Sequence, residues 1–375
     1  MSKFIYNFRG IARMFMPRAF FQASLSSKIT RIFKDFDEAT LENIAKRVNH
    51  YHKINSSFSL PLPNLLASQT SKGNQWKKPR LSLQTPSIEF VGDNSPSSLY
   101  SSVYYYDSYE WSRYFRDNLL WAYEFGDVNY YLDTPAITKT RPIESKAKSS
   151  ANSAKESSKD FGGESIAEGG ESNQNSILLQ LEKNRHFCFF KDKIRYTNKK
   201  DALIFRGACF QEHRNKFLKE FFHHPKCDIG DTSGSTQNAE FAKPKISKEA
   251  HLEYKFILSL EGNDVASNLK WVMNSNSLCI MPKPKYESWF MESKLVSGVH
   301  YAEINDEYSN VADVIEHYLG HQNQALEIIQ NAQQYCAEFQ NPRIEEACNL
   351  LVLRKYFALS GQIEITKEER ELFGI

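Results

Sequence analysis

Apolar and polar positions follow their clearest pattern in the C-terminal half, where they predict two buried strands joined by a helix. An apolar run at 256–260 meets the polar turn Glu261-Gly262-Asn263-Asp264, and a helix-like segment at 265–273 and a second apolar run at 277–281 follow. This order is typical of a βαβ unit. Such a unit places its turn at the carboxyl edge of a parallel sheet, where α/β proteins bind ligands.

A second strand, turn and helix precede this unit. Residues 202–205 form a buried-strand candidate, and residues 212–222 have a helical pattern. Arg206 adjoins the glycine turn between them, and Arg214 lies in the first turns of the helix. Guanidinium groups beside a helix N-terminus suit a diphosphate, because they add several donors to the positive end of the helix dipole. The alternative interpretation is that both arginines form ion pairs with local carboxylates.

The remaining pattern of the C-terminal half alternates in the same way. Residues 228–246 are predicted to form a polar loop and residues 299–304 a strand. A helix is predicted to begin near Val311, capped by Asp306 or Ser309, and two further helices follow it. The half as a whole therefore predicts an α/β domain with a doubly wound sheet.

The N-terminal half has fewer periodic segments. Residues 35–54 predict one helix, with Asp35 or Asp37 as its cap. An irregular stretch at 55–100 contains one short strand candidate at 88–91, and the aromatic segment 104–123 is predicted to be partly helical and buried.

The end of the N-terminal half contains an insert, a predicted helix and a predicted strand. Residues 177–181 predict a helix, and residues 185–190 predict a strand. Between residues 144 and 174 the chain is rich in Ser, Lys, Glu, Gly and Asn with almost nothing apolar, so we expect a disordered insert.

Composition narrows the class of protein. A length of 375 residues suggests two domains, and a net charge of +2 argues against a dedicated nucleic-acid binder. The six cysteines contain no C-x-x-C pair, which favours a reduced compartment. Neither a G-x-G-x-x-G motif after a strand nor a P-loop is present, so a nicotinamide-dependent dehydrogenase and a P-loop kinase are excluded.

The first 32 residues are basic and aromatic and contain no acid. Arginines interrupt the apolar run that a secretory signal would need. One interpretation is that the segment 1–32 lies on an anionic membrane surface. The other is that it packs on the first domain.

Two features concern catalysis and metal binding. Gly126-Asp127 precedes Lys139 and Arg141, which follow Asp127 by 12 and 14 residues, so Asp127 is a candidate carboxylate held near cations and suited to act as a base. The same dipeptide is also ordinary turn chemistry. Asp35-Phe36-Asp37 has the form of a metal-binding DxD, but its place before a helix favours a cap, and we expect no metal site.

An ordered set of short motifs resembles glycosyltransferase family 90. The set is Gly126-Asp127, Lys139-x-Arg141-Pro142-Ile143, Phe205-Arg206-Gly207 with Arg214, Tyr254-Lys255-Phe256 with Glu261-Gly262, and Val299-His300-Tyr301. That family includes protein O-glucosyltransferases, fungal capsule-associated xylosyltransferases and bacterial lipopolysaccharide glycosyltransferases. The resemblance covers residues 100–340, and the chain looks most like the bacterial branch.

The resemblance implies a GT-B fold of two Rossmann-like domains, with C-terminal helices that cross back to the first domain. It divides the chain into a basic segment (1–34), an acceptor-side domain (35–195), a nucleotide-sugar domain (196–340) and a C-terminal helix and tail (341–375). It also implies a UDP-sugar donor, inversion at the anomeric carbon, and no metal or other cofactor.

The resemblance also implies roles for individual residues. Asp127 would be the general base that deprotonates the acceptor hydroxyl. The first nucleotide loop would contain Arg206, Gly207 and Arg214, with Arg214 as the diphosphate clamp, and the second would contain Gly262, Asn263 and Asp264.

Two positions depart from the animal O-glucosyltransferases. Ala208 replaces a serine, and Asn268 replaces an arginine that would face the diphosphate. Lys270 could substitute for that lost charge, and Asn268 could still donate a neutral hydrogen bond.

The resulting expectation is an inverting, metal-independent transferase that moves a sugar from a UDP-sugar to a lipid-linked oligosaccharide, as in lipopolysaccharide or a related surface glycan. The alternatives are a protein O-glycosyltransferase and an inactive nucleotide-sugar-binding protein. The expected location is the cytoplasm, with peripheral attachment at the inner face of the inner membrane.

Overall fold

The computed structural model describes residues 3–60, 86–93, 102–144 and 172–375. Most of the predicted insert at 144–174 and of the irregular stretch at 55–100 lies outside these residues. Two compact units divide the chain: unit 1 is Met1–Glu182, Tyr286–Trp289 and Pro342–Ile375, and unit 2 is Lys183–Lys285 and Phe290–Asn341. The expected boundary at 195/196 thus differs from the observed one, and a short segment at 286–289 returns to unit 1.

The described residues form these helices and strands. The helices are α1 (Lys3–Met14), α2 (Arg18–Asp35), α3 (Glu38–Tyr51), α4 (Ser102–Ser112), α5 (Lys183–His186), α6 (Glu212–Phe221), α7 (Lys248–His251), α8 (Leu269–Met273), α9 (Val311–Gly320), α10 (Gln322–Ala337), α11 (Pro342–Leu359) and α12 (Lys367–Phe373). The strands are β1 (Ser87–Phe90), β2 (Leu120–Glu124), β3 (Ala136–Thr138), β4 (Thr140–Pro142), β5 (Ser176–Leu178), β6 (Lys200–Gly207), β7 (Cys227–Asp231), β8 (Tyr254–Leu258), β9 (Leu278–Met281), β10 (Tyr286–Ser288) and β11 (Ala302–Glu303).

Unit 1 is built on a sheet with the strand order β1-β2-β3-β5. Strand β1 is antiparallel to β2, whereas β2, β3 and β5 are parallel to one another. Tyr123, Ile137 and Ile177 lie side by side in this register. The middle strands are buried on both faces, which explains why their sequences are short apolar runs without alternation.

Two predictions about this region are wrong. Residues 177–181, predicted as a helix, contain strand β5, because a three-residue buried strand has no periodicity that separates it from a buried helix. Residues 185–190, predicted as a strand, follow the short helix α5 and have no ladder partner among the described residues. The rings of Phe187 and Phe189 pack edge to face on each other, and the ring of Phe190 stacks on that of Trp271.

Helix α3 has the N-cap predicted at Asp37 and packs on the 286–289 segment of unit 1. The Asp37 carboxylate accepts a hydrogen bond from the backbone nitrogen of Thr40 at 2.8 Å, as an N-cap should. On its inner face, Ile44, Val48 and Tyr51 are fully buried. The Tyr51 ring stacks on the Trp289 ring with centroids 3.8 Å apart, which ties the 286–289 segment to this helix.

Unit 2 contains a five-stranded parallel sheet with the order β11-β9-β8-β6-β7. Strands β8 and β9 are neighbours joined through α8, so the predicted βαβ unit is confirmed. Leu203, Phe256 and Leu278 lie in register across the sheet and are completely buried in one apolar core. The α/β class predicted from the sequence is therefore correct.

Three details of unit 2 and of the C-terminus differ from the predictions. The polar stretch 228–246 contains edge strand β7, which tolerates polar residues because one side of it lacks a neighbouring strand. Asn310, rather than Asp306 or Ser309, precedes α9, and its side chain accepts from the backbone of Asn305. Helix α12 was not predicted.

None of the six cysteines is in a disulfide, and none of the described helices is long and apolar enough to cross a bilayer.

Candidate active site

Three charged side chains meet at the carboxyl edge of the unit 1 sheet. Asp127, Lys139 and Glu182 each come shortly after one of the adjacent parallel strands β2, β3 and β5. Because the carboxyl ends of parallel strands meet at one edge, residues far apart in sequence converge there. The Lys139 ammonium lies 2.7 Å from Asp127 Oδ1 and 3.3 Å from Glu182 Oε2.

Asp127 is exposed enough to meet a substrate, although its cationic partner is buried. About a third of the Asp127 side chain (36%) is accessible, compared with 2% for Lys139. Gly126 has φ +120°, a backbone angle that other residues rarely adopt, and it turns the chain immediately before the carboxylate. The buried ammonium fixes the position of the carboxylate, and a carboxylate is a group that can accept a proton.

Glu182 is a member of this cluster that the sequence interpretation missed. Its backbone has φ +55°, in the left-handed region that is uncommon for a residue with a side chain. Such strain often accompanies functional positions. Had residues 176–178 been interpreted as a strand, Glu182 would have been expected at the same edge as Asp127.

In unit 2, Arg214 joins the two predicted nucleotide loops. It donates hydrogen bonds from Nη1 to the carbonyl oxygen of Ala208 at 2.9 Å, from Nε to that of Glu261 at 2.8 Å and from Nη2 to that of Leu260 at 2.6 Å. All three acceptors are neutral main-chain atoms. Among the described residues, no carboxylate lies within ion-pair distance of Arg214, so its positive charge is not neutralised there.

The surroundings of Arg214 include a helix N-terminus, a second arginine and a histidine. Arg214 lies in the first turn of α6, near the positive end of the helix dipole. Burial lowers the pKa of Arg214, and the nearby charge of Arg185 lowers it further. His213 makes a hydrogen bond to the carbonyl oxygen of Glu261 at 2.8 Å, and burial lowers the pKa of its imidazole. The sequence did not identify Arg185 as a neighbour of the donor loops, because residues 185–190 were predicted to form a strand.

Arg206 has the surroundings that the ion-pair interpretation described. Its guanidinium donates to the carboxylate of Asp228 at 2.6 Å and to the carbonyl oxygens of Phe205 and Asp228. Lys243 and Tyr254 also donate to the Asp228 carboxylate, at 2.8 and 2.7 Å. Although burial opposes ionisation, these donors together hold the pKa of Asp228 well below its usual range.

The two loop glycines have different neighbours. A Cβ on Gly207 would lie 2.6 Å from the ring of Phe205, so a side chain there would displace a core ring. A Cβ on Gly262 would lie 3.4 Å from Arg214 Nη2. Gly262 therefore leaves space directly beside the guanidinium.

The remaining second-loop residues are held within unit 2. The backbone nitrogen of Gly262 donates to the carbonyl oxygen of Asp264 at 2.9 Å, and Gln211 donates to the side chain of Asn263 at 3.1 Å. The Asp264 side chain is buried. The turn is thus a closed loop whose backbone lies beside Arg214.

Asn268 and Lys270 are directed elsewhere. The Asn268 amide donates to the carbonyl oxygen of Leu258 at 2.9 Å and accepts from the Ser259 hydroxyl at 3.1 Å. Lys270 is completely buried, and its ammonium lies 2.6 Å from the carboxylate of Glu292. This buried ion pair gives no support to the idea that Lys270 replaces the missing arginine. Lys270 is therefore not a candidate for the donor site.

Comparison with known proteins identifies the family of the chain. The model of the family described as "Glycosyl transferase family 90" matches residues 182–359. A protein named O-glucosyltransferase LpsA from Dichelobacter nodosus is 33% identical over 347 residues, covering 92% of each chain. The chain belongs to glycosyltransferase family 90. It is therefore a glycosyltransferase.

The family 90 match includes the loops around Arg214 and Gly262, but it begins at Glu182 and so leaves out Asp127. The assignment of Asp127 consequently depends on the geometry at the carboxyl edge of β2, β3 and β5. In the part of the chain that the structure describes, no group of three or more His, Cys, Asp or Glu side chains could hold a metal ion. Asp35 instead forms an ion pair with Arg343 at 3.2 Å.

Proposed function

We propose that this family 90 enzyme transfers a sugar from a UDP-sugar to a hydroxyl of a lipid-linked oligosaccharide, of the lipopolysaccharide type, with inversion and without a metal ion. Units 1 and 2 would be the two domains of a GT-B enzyme, and the parallel strands in each unit support this. The observation that carries the proposal is the partly exposed Asp127 carboxylate, held at 2.7 Å by the buried Lys139.

Asp127 is the general base in this proposal. Inversion requires one base that removes the proton of the acceptor hydroxyl while the hydroxyl oxygen attacks the anomeric carbon. The ion pair with Lys139 fixes one carboxylate oxygen, and the strained backbone at Glu182 fixes the partner on the other side of the ammonium. Lys139 is a positioning residue because it acts on the substrate through Asp127.

Arg214 stabilises the leaving UDP. Negative charge grows on the diphosphate as the glycosidic bond breaks, so a fixed cation stabilises the transition state more than the ground state. The guanidinium uses one N–H on each of its nitrogens for main-chain carbonyls, which leaves two of its five N–H groups for phosphate oxygens. A cation already present in the protein supplies the charge that a metal ion supplies in other enzymes.

The first donor to assay is UDP-glucose, because the bacterial relative is named an O-glucosyltransferase. Release of UDP would be measured with and without a lipid-linked oligosaccharide, and again with a serine-containing protein domain as acceptor. Release stimulated by the oligosaccharide supports the proposal. Stimulation by the protein domain instead would favour protein O-glycosylation, and the assays would include a chelator to test metal independence.

Replacing the base tests the mechanism. We expect Asp127→Asn to lower kcat by about two to four orders of magnitude, because the amide cannot accept the proton, while UDP affinity stays nearly unchanged. Asp133→Asn is the matched control, since Asp133 is an exposed carboxylate on the same loop. Turnover of Asp127→Asn at the parent rate would show that Asp127 is not the base.

A further inference from the structure

The first N-terminal helix is attached to unit 1 by one of its faces. The Tyr6 hydroxyl donates to the carboxylate of Asp107 on α4 at 2.6 Å, and Arg13 pairs with Glu110 on the same helix at 2.8 Å. Gly10 lies against the ring of Tyr106, where a Cβ would be only 2.5 Å from the ring. The packing interpretation of the segment 1–32 is therefore confirmed for this face.

The opposite face of α1 is apolar and exposed. Residues three or four positions apart share one side of a helix, and the side opposite Tyr6 and Gly10 bears large apolar groups. These groups continue through the link to α2, and the exposed set is Ile5, Phe8, Ile11, Met14, Phe15, Met16 and Phe20. Phe15 is 82% exposed and Phe20 73%, although phenylalanine is among the residues most often buried. We name this set the N-terminal apolar surface.

Positive charge accompanies the N-terminal apolar surface. The first 34 residues contain seven lysines and arginines, and the first acid is Asp35. Three of the seven (Arg13, Arg18 and Lys28) pair with carboxylates of unit 1. Arg9, Arg31 and Lys34 are exposed, and the spacing from Phe20 to Arg31 and Lys34 places these three residues on the same exposed face of α2.

We propose that the N-terminal apolar surface and its exposed basic residues bind the surface of an anionic lipid bilayer. Large aromatic groups with flanking cations suit the surface of such a bilayer. The rings enter the boundary between headgroups and acyl chains, and the cations contact the phosphates. Charge complementarity selects this occupant, because a protein partner requires no excess of positive charge at the rim.

Co-sedimentation of the full chain with vesicles tests the inference. The vesicles are phosphatidylcholine alone, or phosphatidylcholine and phosphatidylglycerol in equal parts. We expect binding to the anionic vesicles that weakens as salt is added. The triple variant Phe8→Ser, Phe15→Ser, Phe20→Ser should bind about tenfold more weakly or worse. The variant Arg9→Gln, Arg31→Gln, Lys34→Gln should lose the preference for anionic lipid.

The controls separate lipid binding from misfolding and from self-association. Val296→Ser with Leu326→Ser removes exposed apolar groups elsewhere and should bind like the parent. All variants should unfold at the parent temperature and keep the parent rate on a soluble acceptor. Equal sedimentation of the triple variant and the parent would overturn the inference. A dimer in solution that the triple variant dissociates, without vesicle binding, would also overturn it, in favour of an interface between copies.

Discussion

Arg206 and Arg214 belong to one strand–turn–helix segment, yet the structure surrounds them differently. Arg206, at the end of β6, donates to the Asp228 carboxylate, which Lys243 and Tyr254 also contact. Arg214, at the start of α6, donates to three carbonyl oxygens. One cation is neutralised by its surroundings, and the other is only held in place. The surroundings of Arg206 are those of a residue that stabilises the sheet, whereas the charge of Arg214 is available for the diphosphate-binding role that we propose for it.

The difference has a simple electrostatic basis. A carboxylate beside a guanidinium cancels most of its field at a distance, whereas carbonyl dipoles orient it and leave its net charge intact. The family resemblance placed both arginines in the first nucleotide loop, with Arg214 as the diphosphate clamp.

The sharpest test replaces Arg214. We expect Arg214→Ala to weaken UDP binding by about ten- to a hundredfold, because charge-assisted hydrogen bonds to the diphosphate are lost. Isothermal titration calorimetry with UDP measures the change. Arg206→Ala is the matched control and should change the affinity by less than about threefold.

Equal losses in both variants would remove the distinction between the two arginines. Unchanged affinity in Arg214→Ala would show that it is not the diphosphate clamp. Thermal unfolding of both variants is needed alongside, because Arg214 also connects the loops at Ala208 and Glu261.

An intermediate effect is expected from filling the space beside Arg214. Gly262→Ala should be tolerated, since its Cβ would make an ordinary contact of 3.4 Å with Nη2. Gly262→Leu should displace the guanidinium or cover it, and weaken UDP binding by about five- to tenfold. The alanine variant serves as the control for the loss of glycine, and equal affinities in the two variants would show that this space does not receive the donor.

The smallest effect on binding should come from Asp228→Asn, which acts on stability instead. We expect UDP affinity within about twofold of the parent and a loss of about 1–2 kcal/mol in the free energy of unfolding at pH 7. The folded state lowers the pKa of Asp228, so its contribution is present above the unfolded pKa of about 3.9 and is lost as the pH falls through the folded pKa.

Urea titrations across pH therefore check the Asp228 assignment. The difference between parent and variant should stay constant from pH 7 to pH 5 and shrink below about pH 4. A difference that grows as the pH falls would contradict a lowered pKa. A large loss of UDP affinity would instead place the Arg206–Asp228 pair in the donor site.

Local patterns were sufficient to predict the elements around the donor loops. Apolar runs at 202–205 and 256–260, each followed by a glycine turn and a helix, identified β6, α6, β8 and α8 with errors of a few residues. The contact between Asp127 and Lys139 also agrees with the expectation of a carboxylate held near a cation. These features depend on short stretches of sequence, where periodicity and turn chemistry are informative.

Features that depend on strand register could not be predicted. Asp228 lies on β7, a polar edge strand that looks like a loop, so the partner of Arg206 was hidden. Glu182 follows β5, whose three buried residues resemble a helix. The buried pair of Lys270 with Glu292 joins residues 22 positions apart, with strands β9 and β10 between them. Residue propensities and the periodicity of apolar positions do not predict these pairings, because tertiary packing decides them.

The three-segment construction of unit 1 has a consequence for synthesis. Helix α3 packs on α11, and the Lys355 ammonium donates to Asn49, Asn55 and the carbonyl oxygen of His52. These contacts cannot form until residues 342–375 have left the ribosome, whereas the last residue of unit 2 is Asn341. Domains tend to fold as units while the chain emerges. The first residues of unit 1 are therefore synthesised before unit 2, but unit 1 can finish folding only after unit 2 has been synthesised. During translation α3 must wait for a partner about 300 residues downstream (Lys355 to Asn49 spans 306).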